Sequence, residues 1–360
     1  MTFLSAIVLF GLIIFVHELG HFLSAKLLGV RVLKFSIGFG PKLVGRKFGD
    51  TEYLISSIPF GGYVKMLGEN LEDEIQEEEK KFAFTCQPVW KRFVIVFLGP
   101  LSNFLFAVFI FVFVFLYGVP ILLPEIGDVV TDSPAQKAGL VKGDAIISID
   151  GSEVTQWDEM TQVIHTSPGK TLHLKFRRNN EVIPLTVTPE KKKVQDIFGQ
   201  DKEVGLIGIK PSGSTFTRKS GLKESVVSSI RRTWEITVLT IVSVVKLIQR
   251  VLPMNTLGGP IMILQMAGEQ ASQGILNFLV LMAIININLG VLNLLPIPIL
   301  DGGHIMFLGI EAIRRKPLEE KIMGIAQRIG LAFIIMLFGF VLYNDFMRII
   351  LPWIQRILAS

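Results

Sequence analysis

The chain has 360 residues, of which 50% are hydrophobic, and its mean hydropathy of +0.53 is far above that of a soluble globular protein. Its single cysteine excludes an intrachain disulfide framework and any metal site built from several cysteines. The net charge of +5 comes from basic residues spread between apolar stretches, which fits an anionic membrane surface and excludes a basic stripe for nucleic acid.

A first transmembrane helix is predicted over residues 1–28, and the sequence His-Glu-Leu-Gly-His occupies positions 17–21 in its second half. On a helix, His17 and His21 present their rings on one face, which predicts a metal site, and Glu18 is left to take a proton from water. The alternative is a polar contact between helices. Inserting an acidic residue at mid-helix costs about 2.5 to 3.5 kcal/mol, whereas zinc binding in model peptides yields about 10 to 16 kcal/mol. The energies therefore favour the metal site.

Residues 29–68 alternate apolar and polar positions between glycine-rich turns, which predicts a membrane-associated β-meander. The edge of this sheet offers a place for an extended peptide to pair, although an ordinary surface sheet fits the pattern equally well. Residues 69–92 are expected to form an acidic linker that leads into the next helix.

A second transmembrane helix is predicted over residues 93–118, with Asn103 on its early turns. An asparagine that faces lipid is unfavourable, so Asn103 should face the helix bundle, either as a helix contact or as part of a site. The composition of residues 125–211 is that of a soluble domain. Short strands alternate there with Ala138-Gly139-Leu140 and an Asp-Gly turn at positions 150–151, an order that resembles a PDZ domain.

Residues 222–272 are expected to form an amphipathic helix on the membrane surface that is broken at the Gly-Gly-Pro sequence. A third transmembrane helix is predicted over residues 275–303; it ends in two prolines and a Leu-Asp-Gly sequence that contains Asp301. Residues 303–328 are expected to be a loop, and a fourth transmembrane helix is predicted over residues 324–347.

The loop charges predict the topology. Residues 26–92 hold 11 Lys or Arg and residues 303–328 hold 5, whereas residues 1–16 hold none. The positive-inside rule places both basic loops in the cytoplasm and residues 125–252 outside. Spans one and three then run in the same direction, and Asp301 at the inner end of span three can reach the two histidines. Two histidines, a carboxylate and a water form a catalytic zinc set.

These motifs, together with Gly-Pro-Leu-Ser-Asn-Phe at positions 99–104 and Asn-Leu-Leu-Pro at 293–296, resemble the site-2 protease family of intramembrane zinc metalloproteases, RseP-like branch, with a single PDZ domain. The resemblance covers nearly the whole chain. It implies Zn²⁺ held by His17, His21 and Asp301, with Glu18 as the base. It also implies a substrate-binding stretch of Asn288, Asn293, Pro296 and Pro298, to which we add Asn103.

The expected fold is a polytopic α-helical membrane protein with about four transmembrane helices, a membrane-associated β-meander and one extracytoplasmic PDZ domain. By resemblance, it lies in the bacterial cytoplasmic (inner) membrane, with the active site toward the cytoplasm. It would hydrolyse transmembrane segments of single-pass proteins, such as anti-sigma factors or signal peptides, after an upstream site-1 protease has cut; nucleic acid is not an expected partner.

Two other classes of function stay open on the sequence alone. A membrane zinc transporter would need a continuous polar path, and spans two and four supply few ionisable residues for one. A non-catalytic PDZ membrane scaffold would have no use for Glu18. Cleavage of a transmembrane peptide separates the protease from the scaffold, and metal flux without cleavage would favour the transporter.

Overall fold

The computed structural model describes residues 2–69, 75–195, 199–352, 354 and 355, and nine α-helices lie within these residues. They are α1 (Thr2–Leu27), α2 (Val89–Tyr117), α3 (Pro134–Lys137), α4 (Trp157–His165), α5 (Leu222–Ile248), α6 (Pro260–Gln273), α7 (Ile275–Asn293), α8 (Asp301–Arg314) and α9 (Glu320–Asp345). Within the described residues, four of these helices, α1, α2, α7 and α9, are long and apolar enough to cross a membrane. This agrees with the expected class of about four transmembrane helices.

The β-ribbon beside α1 consists of two long antiparallel strands, β1 (Val32–Phe48) and β2 (Thr51–Met66). Phe35 in the first half of β1 pairs with both Tyr53 and Val64, because this half of β1 lies between the two halves of β2. The meander expected over residues 29–68 is therefore a single folded ribbon. Residues 61–66 form one edge of it, and Phe35 and Val64 pack with Phe22 of α1 in a shared core.

The third span ends earlier than predicted. Helix α7 stops at Asn293 instead of continuing to residue 303, because Pro296 and Pro298 have no backbone N–H to extend it. The segment expected to be a loop over residues 303–328 contains α8, which begins at Asp301 and ends where Arg315 adopts a left-handed conformation with φ of 55°. Asp301 is therefore the first residue of a separate helix.

Residues 222–272, where an amphipathic helix was expected to be broken at Gly-Gly-Pro, contain two helices, α5 and α6, and Pro260 of that sequence begins the second. Asp345, at the end of α9, caps the N-terminus of α6. Its buried carboxylate accepts hydrogen bonds from the backbone N–H groups of Gly259 (2.9 Å), Ile261 (2.9 Å) and Met262 (3.1 Å). Helix α6 packs on α1 and α7 as well as on α9. The cap therefore ties the fourth span to the helices around the histidines.

A second compact unit comprises residues 115–222 and 246–252. Its strands are β3 (Val119–Leu122), β4 (Ile126–Val129), β5 (Ala145–Ile149), β6 (Ser152–Glu153), β7 (Leu172–Arg178), β8 (Glu181–Val187), β9 (Glu190–Gln195), β10 (Asp201–Leu206), β11 (Ile209–Pro211) and β12 (Thr215–Arg218). β6-β5-β7-β8 form one sheet, and β4–β11, β9–β10 and β3–β12 form pairs. Because β3 and β12 pair with each other outside residues 125–211, the unit extends beyond the range predicted for the PDZ domain.

Two carboxylates organise polar contacts in this second unit. Asp144 is fully buried and accepts hydrogen bonds from Arg178 Nε and Nη2, both at 2.8 Å. Glu159, in the first turn of α4, accepts hydrogen bonds from Thr155 and Gln156. Partial burial raises the pKa of Glu159, but these hydrogen bonds outweigh it and hold the pKa below its ordinary value.

Candidate metal centre

The two histidines of α1 converge as their spacing predicts. Both side chains are buried, and their Nε2 atoms lie 3.3 Å apart. Asp301 completes the group from the start of α8: its Oδ2 is 3.2 Å from His17 Nε2 and its Oδ1 is 3.5 Å from His21 Nε2. A tetrahedral zinc ion with bonds of about 2.1 Å separates its ligand atoms by roughly 3.4 Å. The donor set therefore fits zinc in both chemistry and spacing.

Helix α2 orients the ring of His21. His21 Nδ1 lies 2.9 Å from the backbone carbonyl of Ile95, so Nδ1 carries the proton and donates it to that oxygen. Nε2 is then unprotonated and available to a metal. Gly99, one turn further along α2, lies against the same ring: a Cβ there would be 2.2 Å from His21 Nε2. Only glycine leaves room for the ring in this position.

Asn103 lies behind His17, where its side chain is fully buried. Its Nδ2 is 3.2 Å from His17 Nδ1, and its buried Oδ1 has no hydrogen-bond partner among the described residues. Exchanging the amide nitrogen and oxygen lets Oδ1 accept a proton from His17 Nδ1, which leaves Nε2 free for a metal. A buried side chain in this position is better placed to orient the ring of His17 than to contact a substrate, which is the role that we expected for Asn103.

Glu18 lies next to the three converging residues without belonging to the ligand group. The backbone N–H of Val64, in the edge segment of β2, lies near its carboxylate. Gly62 of the same segment is also close, since a Cβ there would lie 3.2 Å from Glu18 Cγ. The edge of the β-ribbon and the proposed base are therefore direct neighbours.

The remaining predicted site residues lie in different places. Asn293 is at the centre, with its Nδ2 3.3 Å from His17 Nε2. Asn288 accepts a hydrogen bond from Thr240 of α5 at 2.7 Å, which directs its amide oxygen to a neighbouring helix. Pro296 is exposed, and Pro298 is half-buried in the turn before α8. Asn293 alone of these four side chains makes a described contact with the metal-ligand group.

A cavity of about 830 Å³ opens beside the histidines. Besides Glu18 and Asp301, its lining includes Glu69, Arg92, His304 and Glu311. We did not single out any of these four from the sequence. His304 follows Asp301 by one helical turn, so recognising α8 as a helix would have placed it here. Arg92 was counted only as a basic loop charge, and Glu311 was not considered.

Comparisons with known proteins agree with this architecture. Residues 5–337 match the sequence profile of the family described as Peptidase family M50. The regulator of sigma-E protease RseP of Escherichia coli is 32% identical over 448 aligned positions, which cover 96% of this chain and 98% of the relative. A Campylobacter jejuni protein whose description names a zinc metalloprotease is 37% identical, with 97% and 94% covered.

A structural comparison matched part of the chain. The PDZ domain of an SdrC-like protein from Listeria innocua is 26% identical and covers 25% of this chain and 92% of that domain, with a TM-score of 0.20. The family match covers most of the chain, including His17, Glu18, His21 and Asp301, and it confirms the resemblance to site-2 proteases. The chain belongs to peptidase family M50.

Proposed function

We propose that this protein is an intramembrane zinc metalloprotease that hydrolyses peptide bonds within transmembrane segments of single-pass membrane proteins. One observation carries the proposal: His17, His21 and Asp301 converge at spacings of 3.2 to 3.5 Å beside Glu18, and the histidines lie in a helix apolar enough to cross a membrane. His17, His21 and Asp301 would hold the ion. A zinc ion bound there would supply a Lewis acid that lowers the pKa of water and polarises a carbonyl.

Glu18 is the base in this proposal. Its carboxylate takes a proton from the attacking water as the oxygen adds to the peptide carbonyl carbon. It then delivers that proton to the leaving nitrogen as the C–N bond breaks, so the products are a carboxylic acid and an amine, which exchange a proton to become a carboxylate and an ammonium group. Ile95 and Asn103 keep the two imidazole rings oriented, and Asn293 is close enough to contact a bound substrate.

The β-ribbon supplies a way to present the substrate. A transmembrane helix hides its carbonyl groups inside its own hydrogen bonds, so the substrate must unwind before cleavage. Residues 61–66 of β2 form an edge next to Glu18, where an unwound segment can pair as an added strand. Backbone pairing of this kind holds an extended peptide largely independently of its sequence.

The loop charges support an orientation with the metal centre toward the cytoplasm and the PDZ domain outside, in a bacterial cytoplasmic membrane. A relative named regulator of sigma-E protease suggests a substrate class of membrane-anchored regulators, such as anti-sigma factors. Such a substrate would first be shortened outside by a site-1 protease. The PDZ domain, which contributes none of the proposed ligands, would select the shortened form.

A cleavage assay tests the proposal. Purified protein in lipid nanodiscs is incubated with a tagged single-span peptide, with and without a zinc chelator, and zinc is then restored. We expect cleavage within the apolar segment that the chelator abolishes and zinc restores. Cleavage that persists in a metal-free sample would refute the metalloprotease, and zinc flux into vesicles without any cleavage would replace it with a transporter.

A further inference from the structure

We propose that the ion pair between Arg92 and Glu311 positions Asp301, so that α2 sets the place of all three ligands. The inference rests on the proposed zinc site. Arg92 lies in the first turn of α2, and Glu311 lies near the end of α8, the helix that begins with Asp301. Arg92 and Glu311 touch neither the histidines nor Asp301 in any described contact, so they would act through α8 as positioning residues.

The contact between the two side chains is forked and largely shielded from solvent. Arg92 Nη1 donates to Glu311 Oε2 at 3.1 Å, Nη2 donates to Oε1, and Nε donates to the carbonyl of Gln87 at 3.0 Å. The two side chains are only 12% and 16% exposed. A two-point contact between a planar guanidinium and a carboxylate fixes orientation as well as distance, which a single hydrogen bond does not.

The other two ligands are already held by the same helix. Ile95 orients His21 through its carbonyl, and Asn103 contacts His17. Arg92, Ile95, Gly99 and Asn103 are spaced by three, four and four residues, so they lie along one face of α2. The contact between Arg92 on this face of α2 and Glu311 of α8 therefore fixes the position of Asp301 relative to the two histidines.

Helix α8 is held near both of its ends. Gly302 and Gly303 pack against the preceding turn so closely that a Cβ at either would lie 2.2 Å from a carbonyl oxygen of that turn. Glu311 holds the far end, about 15 Å along the axis. Loss of this contact removes one restraint on rolling of α8, and a roll of only about 10° moves a carboxylate roughly 5 Å from the axis by about 0.9 Å. Zinc ligands tolerate only about 0.2 Å.

The test uses full-length protein in nanodiscs and reads the metal directly. Zinc affinity is measured by competition with a chelator, and the visible spectrum of the Co²⁺-loaded protein reports the coordination geometry. We expect Arg92→Gln and Glu311→Gln each to weaken zinc binding by roughly 10-fold and to alter the Co²⁺ spectrum. The double variant should lose no more zinc affinity than either single variant, because each substitution removes the same contact. Arg92→Lys, which keeps the charge but not the fork, should retain only part of the affinity.

Arg178→Gln is the matched control, because it breaks the similarly forked ion pair with Asp144 in the second unit. Its zinc affinity and Co²⁺ spectrum should equal those of the wild type. The inference is overturned if Glu311→Gln, which preserves shape, keeps wild-type affinity and spectrum, or if the losses of the two single variants add. Failure of the wild type to bind zinc would instead refute the proposed function.

Discussion

Replacing Gly99 by alanine should dismantle the metal centre without unfolding the protein. The new Cβ would lie 2.2 Å from His21 Nε2, and this distance must rise to about 3.4 Å, which requires a shift of roughly 1.2 Å. That shift is several times the tolerance of about 0.2 Å for a zinc ligand. The hydrogen-bond acceptor of His21 is the backbone carbonyl of Ile95, which is fixed in α2, and packing holds α2 in place. The ring of His21 must therefore move. Zinc affinity should fall roughly 100-fold or more.

The assay combines zinc content after dialysis against a chelator with cleavage of a single-span peptide. Alanine is a better helix former than glycine by about 1 kcal/mol, so loss of helix is not expected to explain the result. Gly11→Ala serves as the control, because no atom lies within 4 Å of a Cβ at Gly11. Stoichiometric zinc binding with wild-type affinity in Gly99→Ala would refute the proposed role of the His21 ring.

Glu18→Gln should retain zinc and lose cleavage by about 10²- to 10⁴-fold; ordinary turnover in this variant would remove Glu18 from the mechanism. In a Cys86→Ser background, a cysteine at Ser152 should react with an impermeant reagent added outside intact cells and one at Lys316 should not; the reverse pattern would contradict the topology. The lowered pKa of Glu159 stabilises α4 above the ordinary pKa of about 4.3, and this contribution disappears as the pH falls below the folded-state pKa. Glu159→Gln should therefore speed hydrogen exchange in α4 at pH 7 by an amount equivalent to about 0.2 to 0.5 kcal/mol, because solvent screens this largely exposed carboxylate, and the difference should be lost at low pH.

The convergence of His17, His21 and Asp301, the proposed zinc ligands, could be predicted from the sequence because it depends on local helix geometry and on topology. A spacing of four residues on a helix brings His17 and His21 together wherever the helix lies. The position of Asp301 close to the histidines followed from the direction of the third span, which loop charges predict without any knowledge of packing. Both arguments depend on regularities that hold before any tertiary contact forms.

Other features depend on contacts that a linear pattern does not contain. Arg92 and Glu311 are 219 positions apart, and each looks like an ordinary charge at a membrane boundary. Helix α8 lies in a segment that was assigned to the third span up to residue 303 and to a loop beyond it, whereas in the structure Gly302 and Gly303 allow the first turn of a separate helix to pack closely on the preceding turn. Asn103 was expected to face the bundle, but its contact with His17 depends on the rotation of α2, which hydrophobicity alone does not specify.

The cap on α6 has a consequence for the order of assembly during synthesis. The carboxylate of Asp345 is made 86 residues after the first N–H group that it binds, at the end of the fourth span. Until that span has emerged and inserted, the first turn of α6 lacks its acceptor, and α6 packs on α1, the helix that carries both histidines. The packing of a fully capped α6 on α1 is therefore complete only after the fourth span has been made, so a nascent chain without that span is still an unfinished protease.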